Sequence, residues 1–377
     1  MGNIVIKEVK TKKEQKEFLE FPLKLYKNNP YFVPPLYADE KKIFKPDYVY
    51  LEQSKAIYFN AYMDGKMVGR ISGILQYASN EKWNQKRVRW TRFDSIDNIE
   101  VSNALFKAVE EFAKDNDMDE LVGPLGFSDL EREGLLIEGF DELSTFEEQY
   151  NYEYYPNLVE EYGFVKEVDW EERQLRLPKE MDDRLYKLAD RILKKYNLHI
   201  PRVKSTKEFL KRYADQFFEL LDKTYDGLYQ TVPFTEGTKK LLIENFNLVI
   251  NTNYVAVIVD ENDKVVCFGL TIPSLAKALQ KSNGHLTLPA LIRCLKSIKK
   301  PEIIDLALIG VDPQYQMKGV VTSLILEIMN MLKKEHVKYV ETNLNLETNF
   351  GIINQWKIFD ARLHKKRRCY VKKIVKN

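Results

Sequence analysis

The sequence predicts an α/β protein built as two tandem copies of one strand and helix unit, and three observations carry that prediction. The first is the stretch from Ile303 to Asn349. Ile303 to Val311 is nearly continuous in apolar residues, as a strand covered on both faces requires, and Asp312-Pro313 ends it. From Gly319 onward, Val321, Leu324, Ile325, Ile328, Met329 and Leu332 recur at helical spacing, so one helix face is buried on a sheet. Val337 to Asn343 returns as the next strand. The second observation is an echo: Val9-Lys10-Thr11-Lys12-Lys13-Glu14 reappears as Val203-Lys204-Ser205-Thr206-Lys207-Glu208. Both are a strand end followed by a capping box that starts a helix. The third is a second apolar stripe, Val101, Ala104, Leu105, Ala108, Val109 and Phe112, spaced like the Val321 to Leu332 stripe and likewise followed by a strand, Glu120 to Gly123.

At 377 residues the chain exceeds the size at which a single core keeps growing. We place the first domain at residues 1–177, a linker helix within 178–200 and the second domain at 201–377. In the first copy, Ile57 to Met63 and Lys66 to Gln76 read as two strands of a hairpin, since Asp64-Gly65 between apolar runs is a turn signal. Val88 to Phe93 is the next strand. Clustered aromatics and glycines from Gly134 to Pro156 form either a packed wall or a substrate lining. Pro178 to Tyr196 is the charged linker helix, with a narrow stripe of Leu185, Leu188, Ile192 and Leu193. The second copy has helices from Thr206 to Tyr225 and Thr235 to Asn247, then strands Tyr254 to Asp260 and Lys264 to Ile272, the latter closed by Pro273. Ser274 to Lys300 is a basic insert without counterpart in the first copy; it reads as a nucleic-acid contact or as a solvated helical face.

Composition narrows the function classes. Hydrophobic content of 44% with 30% charged residues is that of a globular chain, and a net charge of +2 gives no strong global attraction to nucleic acid or anionic membrane. Met1 to Lys10 has no apolar signal core, and no apolar run reaches the roughly 18 residues a membrane span needs, so the cytosol is the expected compartment. Cys267, Cys294 and Cys369 have no Cys-x-x-Cys partner and read as free thiols. His199, His285, His336 and His364 show no ligand spacing, so no metal is expected.

The turn Gln316-Met317-Lys318-Gly319-Val320-Val321-Thr322 sits at a helix N-terminus, where unpaired main-chain donors and the helix dipole favour a phosphate. An ordinary strand, turn and helix with no ligand is the other reading of the same residues. Where the second copy has this glycine turn, the first has Asp94-Ser95-Ile96-Asp97-Asn98, with two carboxylates and no glycine, so a phosphate meets negative charge there.

A strand, a Gln-x-x-Gly-x-small turn, a long helix and a strand, followed by a helix led by asparagine, resembles the acyl-CoA-binding core of the GNAT acyltransferase superfamily. Here Gln316 and Gly319 match and Val321 departs, since a small residue is usual at its position. Asn29-Pro30, Val33-Pro34-Pro35, Gly123-Pro124, Phe127-Ser128, Gly134-Leu135-Leu136, Glu138-Gly139-Phe140-Asp141, Tyr154-Tyr155-Pro156 and Gly163-Phe164 resemble a bacterial family of tandem GNAT-like proteins without an assigned substrate. The resemblance implies two tandem GNAT-like domains, each a mixed, centrally splayed sheet flanked by helices, and acetyl-CoA or another acyl-CoA as donor. It implies a main-chain N–H near Ile309 to Val311 that polarises the thioester carbonyl, and an Asn349 that contacts the pantetheine or pyrophosphate arm. In many members a tyrosine protonates the leaving thiolate, and the matching position here is Trp356, whose indole cannot.

Glu341 near the C-terminal end of its strand is the candidate base, directly or through water, and Asp305, earlier on its strand, is read as structural. Tyr225, Asp226 and Tyr229 are either acceptor-side residues or a packed helix end. Three functions follow in order: an acyl-CoA-dependent N-acyltransferase acting on a small amine, amino acid or peptide amine; a transferase using aminoacyl-tRNA, with the basic strand Arg362 to Lys373 and the Ser274 to Lys300 insert touching RNA; and a non-catalytic acyl-CoA-binding module.

Overall fold

A computed structural model describes residues 2–178, 180, 182–249, 253–333 and 337–375. Residues 179 and 181 of the expected linker helix, and His336, lie outside the described residues. In chain order the strands are β1 (Ile4–Glu8), β2 (Ser54–Met63), β3 (Lys66–Gln76), β4 (Arg87–Ser95), β5 (Glu120–Gly123), β6 (Leu135–Glu138), β7 (Val165–Arg176), β8 (Val255–Val259), β9 (Val265–Pro273), β10 (Ile303–Val311), β11 (Tyr339–Thr342), β12 (Asn345–Leu346) and β13 (Asp360–Lys373). Six helices position the features described below: α1 (Lys12–Leu25), α2 (Ile99–Lys114), α3 (Asp183–Lys195), α4 (Thr206–Tyr225), α5 (Leu288–Lys299) and α6 (Val320–Lys333).

The chain forms two compact units. The first comprises Met1–Glu171, Leu275–Cys294 and His364–Asn377, and the second Glu172–Ser274 and Leu295–Leu363. The first unit thus takes in two stretches that follow the linker helix in sequence. Its sheet runs β1-β2-β3-β4-β5-β13, antiparallel except for β4 and β5, with β6 also on β13. Thr11 starts α1 with the expected capping box: its hydroxyl accepts from Glu14 N at 3.2 Å while the Glu14 carboxylate accepts from Thr11 N at 2.8 Å. The apolar stripe of α2 is buried on this sheet, with Val101, Leu105 and Val109 fully enclosed. The residues around Tyr150 to Tyr155 form a packed wall: Tyr26 meets Tyr150 edge-on at 5.6 Å, and the Tyr154 and Tyr155 rings lie 5.0 Å apart.

From His364 onward the basic C-terminal strand belongs to this unit. Arg368 grips Asp169 with two bonds of 2.8 and 3.0 Å, Lys372 donates to Glu110 at 2.7 Å and Lys366 to Glu138 at 3.0 Å, while the buried Arg367 donates to Gln149 O. Lys366, Arg368 and Lys372 thus meet carboxylates of their own unit, which leaves these three less available to the RNA that the aminoacyl-tRNA alternative would bring to Arg362 to Lys373.

In the second unit the sheet runs β8-β9-β10-β11 and then the end of β7, with β10 and β11 parallel and the other pairs antiparallel. Helices cover both faces, as the unbroken apolar run of β10 anticipates. Adjacent residues of β9 show this: the Phe268 ring packs tilted against Phe217 of α4 with centroids 4.5 Å apart, and Gly269 leaves room for Leu324 and Ile328 of α6. α3 packs on α6, where Tyr186 donates to Asn330 at 2.5 Å.

Candidate active site

The second unit holds an opening in its sheet. β10 and β11 stay in register from Ile303 and Tyr339 to Leu306 and Thr342, then part, while β10 runs on to Val311. Asn343 closes the vertex, its N–H donating to Leu306 O at 3.2 Å and its side-chain amide to Ala307 O at 3.1 Å. A bulge between Leu306 and Leu308 offsets β10 against β9 at the same level. Beyond the vertex, Tyr225 at the end of α4 donates its hydroxyl to Ile309 O at 3.3 Å. A strand residue turns its N–H and C=O to the same edge, so the Ile309 N–H faces the opening. Val311, two residues on, faces the same way, and Asp312 N turns back to Val266 O at 2.8 Å.

The open edge leads to the turn before α6. Asp312 braces the end of β10: its carboxylate accepts from Gln314 N at 2.9 Å and from Lys223 Nζ at 2.8 Å. Burial pushes that carboxyl up, but the Lys223 ammonium and the Gln314 N–H outweigh it and hold it below the usual range. Gln316, Met317 and Lys318 are exposed, with Met317 at φ 58° and Gly319 at φ 80°. The first bond of the helix, Ser323 N to Gly319 O at 3.2 Å, makes Gly319 the cap. Glycine has no side chain to cap with, so the N–H groups of Val320, Val321 and Thr322 head the helix without a carbonyl of their own helix to meet. Val320 is buried and Val321 packs against the apolar core of this unit. The Thr322 hydroxyl donates to Gln355 at 3.0 Å. The turn also rests against the linker helix, where a Cβ built on Gly319 would lie 2.6 Å from Ile192 Cδ1 and the Lys318 ammonium stands 5.2 Å from the Tyr196 ring.

Glu341 is buried on β11, in register with Asp305 of β10 on one side and Gln174 of β7 on the other, one residue before the vertex. Asp226 is exposed at the C-cap of α4 and Tyr229 is half-buried in the loop that follows. Asn349 caps a short helix, its carbonyl oxygen accepting from Ile352 N at 3.3 Å. Trp356 is a core residue whose indole N–H donates to Asn345 at 2.8 Å. The structure therefore brings Ile309, Val311 and Tyr225 to one edge, continues that edge into Gln316 to Thr322, and places Glu341 behind the vertex. Sequence reasoning did not find Asn343 as the vertex lock, nor Lys223 as the brace for Asp312. A polar residue directly after a buried strand was the available signal for Asn343; a long-range lysine carries none.

The corresponding opening of the first unit is filled by its own chain. β4 and β5 pair only from Arg87 and Glu120 to Arg89 and Val122. Beyond that, Trp90 O accepts from Leu125 N at 3.0 Å, Phe93 O from the Gln149 amide at 3.1 Å and Ser95 O from the Tyr154 hydroxyl at 2.8 Å, while Ser95 N donates to the Tyr155 hydroxyl at 3.1 Å. Asn98 caps α2 by accepting from Val101 N at 3.0 Å, and Asp94 is buried between Arg70 and Tyr26.

No family model matches the chain. Over 96% of its length it is 25% identical to the protein YghO of Escherichia coli, covering 94% of that protein. Over 43% it is 29% identical to the bacterial ceramide synthase of Caulobacter vibrioides, covering 42% of that protein. Among solved structures, a tandem GNAT protein from the clavulanic acid biosynthesis pathway matches the whole of both chains with a TM-score of 0.59 at 11% identity. The GCN5-related glucosamine N-acetyltransferase region of a fungal β-N-acetylglucosaminidase matches 99% of this chain and 38% of that one, with a TM-score of 0.60 at 12% identity. The fold is that of tandem GNAT proteins.

Proposed function

We propose that the chain is an acyl-CoA-dependent N-acyltransferase, with the donor held in the second unit and the acyl group passed to an amine by direct attack on the thioester. One observation carries the reading: the β10 edge freed by the departure of β11 runs into a helix N-terminus headed by a glycine. The edge suits the amide-bearing arm of the donor by strand-like hydrogen bonding, and the helix end suits its phosphates. The first unit offers neither, since its edge is bonded and its helix is capped. The tandem GNAT fold supports the reaction class. A ceramide is a fatty amide of a long-chain amine, so the name of the Caulobacter relative supports an amine acceptor and acyl groups longer than acetyl.

On this reading each group at the edge has a role. Main-chain N–H groups of Ile309 and Val311 polarise the thioester carbonyl as it becomes an oxyanion. Glu341 takes the proton of the attacking amine, through water because its side chain lies behind the vertex. Trp356 cannot return a proton to the thiolate, its one N–H being bonded and buried. The Tyr225 phenol, already at the edge, is placed to do so. Gln316, Met317, Lys318, Gly319, Val320, Val321 and Thr322 hold the phosphates. Asn349 keeps its side-chain amide free of the capping bond, which uses only its oxygen, and turns it to the donor arm. Asp226 and Tyr229 receive the acceptor, the carboxylate drawing its ammonium.

The test is to incubate the protein with short-chain and long-chain acyl-CoA and a panel of amines: a long-chain amino alcohol, amino acids and a short peptide. Thiol release is followed and the amide identified by mass spectrometry. The reading predicts one amide product and one tightly bound CoA per chain. Binding without transfer to any amine would make the chain a non-catalytic binder, and transfer from charged tRNA in place of acyl-CoA would replace the donor.

A further inference from the structure

From Ser274 to Pro301 the chain has six cationic residues, Lys277, Lys281, Arg293, Lys296, Lys299 and Lys300, and not one carboxylate. This in a protein of net charge +2 is a local concentration of positive charge. The same stretch carries an apolar surface. Leu286, Leu288, Leu291, Ile292 and Leu295 are all exposed, Leu288 at 73%, Leu295 at 64% and Ile292 at 60%. On α5 the positions 288, 291, 292 and 295 fall on one stripe, and Ala290 and Cys294 on the opposite face are the buried ones. The helix therefore packs on its small residues and turns its large ones outward. That inverts the usual arrangement.

The segment is firmly seated all the same. Leu275, Ala276, Ala278 and Leu279 are buried, Gln280 donates its amide to Pro30 O at 2.8 Å and Phe32 O at 3.0 Å, Tyr37 N donates to Gly284 O at 3.0 Å, and His285 stacks on Tyr37 at 4.2 Å. An ordered helix with an outward apolar stripe and basic flanks has the composition of one that lies in a bilayer interface. Nucleic acid is the poorer fit, since no aromatic residue stands among the charges of α5 to stack a base.

We infer that α5 docks the protein on an anionic phospholipid surface, with Leu288, Ile292 and Leu295 entering the interface and Arg293, Lys296, Lys299 and Lys300 meeting the headgroups. This does not depend on the transfer reaction, and an inactive protein would still bind.

The experiment is co-sedimentation of the full chain with vesicles of phosphatidylcholine alone and of phosphatidylcholine with about 30% phosphatidylglycerol, an anionic fraction that sets up a negative surface potential. The protein should bind the anionic vesicles at least tenfold more tightly, and less so as salt rises. Leu288→Ser/Ile292→Ser/Leu295→Ser should weaken binding on the order of 100-fold by removing the inserted apolar area. Lys296→Gln/Lys299→Gln/Lys300→Gln should weaken it on anionic vesicles by roughly 10-fold to 100-fold. Should the serine variant melt early, the glutamine variant carries the test. Wild-type protein that ignores both vesicles, or variants that bind as well as wild type, would overturn the proposal. So would self-association that the serine variant abolishes without vesicle binding in the parent, which would make a second copy the occupant.

Discussion

Asp305 and Glu341 stand side by side in the second unit, in register on the parallel strands β10 and β11, both buried and one residue short of the point where the strands part. Register partners in a parallel pair turn their side chains to the same face, so two carboxyl groups share one patch of sheet. On the proposed mechanism Glu341→Gln lowers turnover by a factor on the order of 10²–10⁴, the usual worth of a positioned base, and leaves acyl-CoA affinity alone. Asp305→Asn, at the register partner read as structural, should by contrast leave turnover within roughly tenfold of the parent, far less than the loss of a positioned base. Single-turnover rates, calorimetry and melting curves on both variants separate this from a structural role. A Glu341→Gln protein that melts lower and turns over normally would sink the catalytic assignment.

The phosphate cradle is best probed at its rim. A glutamate at Gly319 would meet Ile192 as well as any phosphate, so lost binding there has two explanations. Lys318 is exposed, and its ammonium stands over the faces of Tyr196 and Tyr315, at 5.2 and 5.5 Å. Lys318→Glu is expected to weaken CoA binding roughly tenfold with little change in melting temperature, a cation to anion swap beside a phosphate being worth about 1–2 kcal/mol at an exposed site. Asp97→Ala in the first unit should leave CoA binding unchanged. Calorimetry that shows equal losses in the two variants contradicts the placement of the donor.

Tyr225→Phe tests the phenol at the open edge. Its hydroxyl bonds Ile309 O at 3.3 Å from the end of a well-packed helix, so its removal should cost about 1 kcal/mol or less of stability. If the phenol returns the proton to the thiolate, turnover falls 10²-fold or more and a better thiol leaving group restores part of it. Equal loss with good and poor leaving groups would assign Tyr225 to acceptor binding.

Acid should loosen the first unit as pH falls from about 4.5 towards about 2. Burial pushes the Glu40 carboxyl up, but Arg92, bonded at 3.1 and 3.3 Å, with Arg132 and Arg70 behind it, pulls it from 4.5 down to about 2. A carboxyl depressed in the folded state stabilises above its unfolded value and loses that contribution as pH falls through the folded one. The stability from this group is thus complete above about pH 4.5 and lost on the way down to about 2. Glu40→Gln, which leaves Arg92 buried without its main counter-charge, should cost about 3 kcal/mol at neutral pH and flatten the acid limb of the melting profile. Parallel acid limbs in parent and variant would show that the pair contributes little.

Much of the architecture was legible in the sequence because it rests on local signals. The Thr11 and Glu14 capping box, the Asp64-Gly65 hairpin turn at φ 51° and 78°, and the helix ending at Tyr225 each stand where the pattern put them, because short-range sterics and hydrogen bonds decide them. The apolar run of β10 and the stripe of α6 likewise foretold a strand covered on both faces. Periodicity reports burial, so it could do no more than that.

Tertiary structure decided what depends on pairing partners distant in the chain. Nothing local says that β13, read as a basic strand of the second copy, sends its lysines and arginines to Asp169, Glu110 and Glu138 in the first unit, or that Asp305 would lie beside Glu341. The parting of β10 from β11, the donors at Ile309 and Val311 that it exposes, and the filling of the equivalent gap by Gln149, Tyr154 and Tyr155 are likewise properties of register between strands. The pattern of the sequence set which residues are buried; only the pairing of strands decided which main-chain groups were left to bind something else, because a hydrogen bond satisfied by a distant segment leaves no trace in the composition of either one.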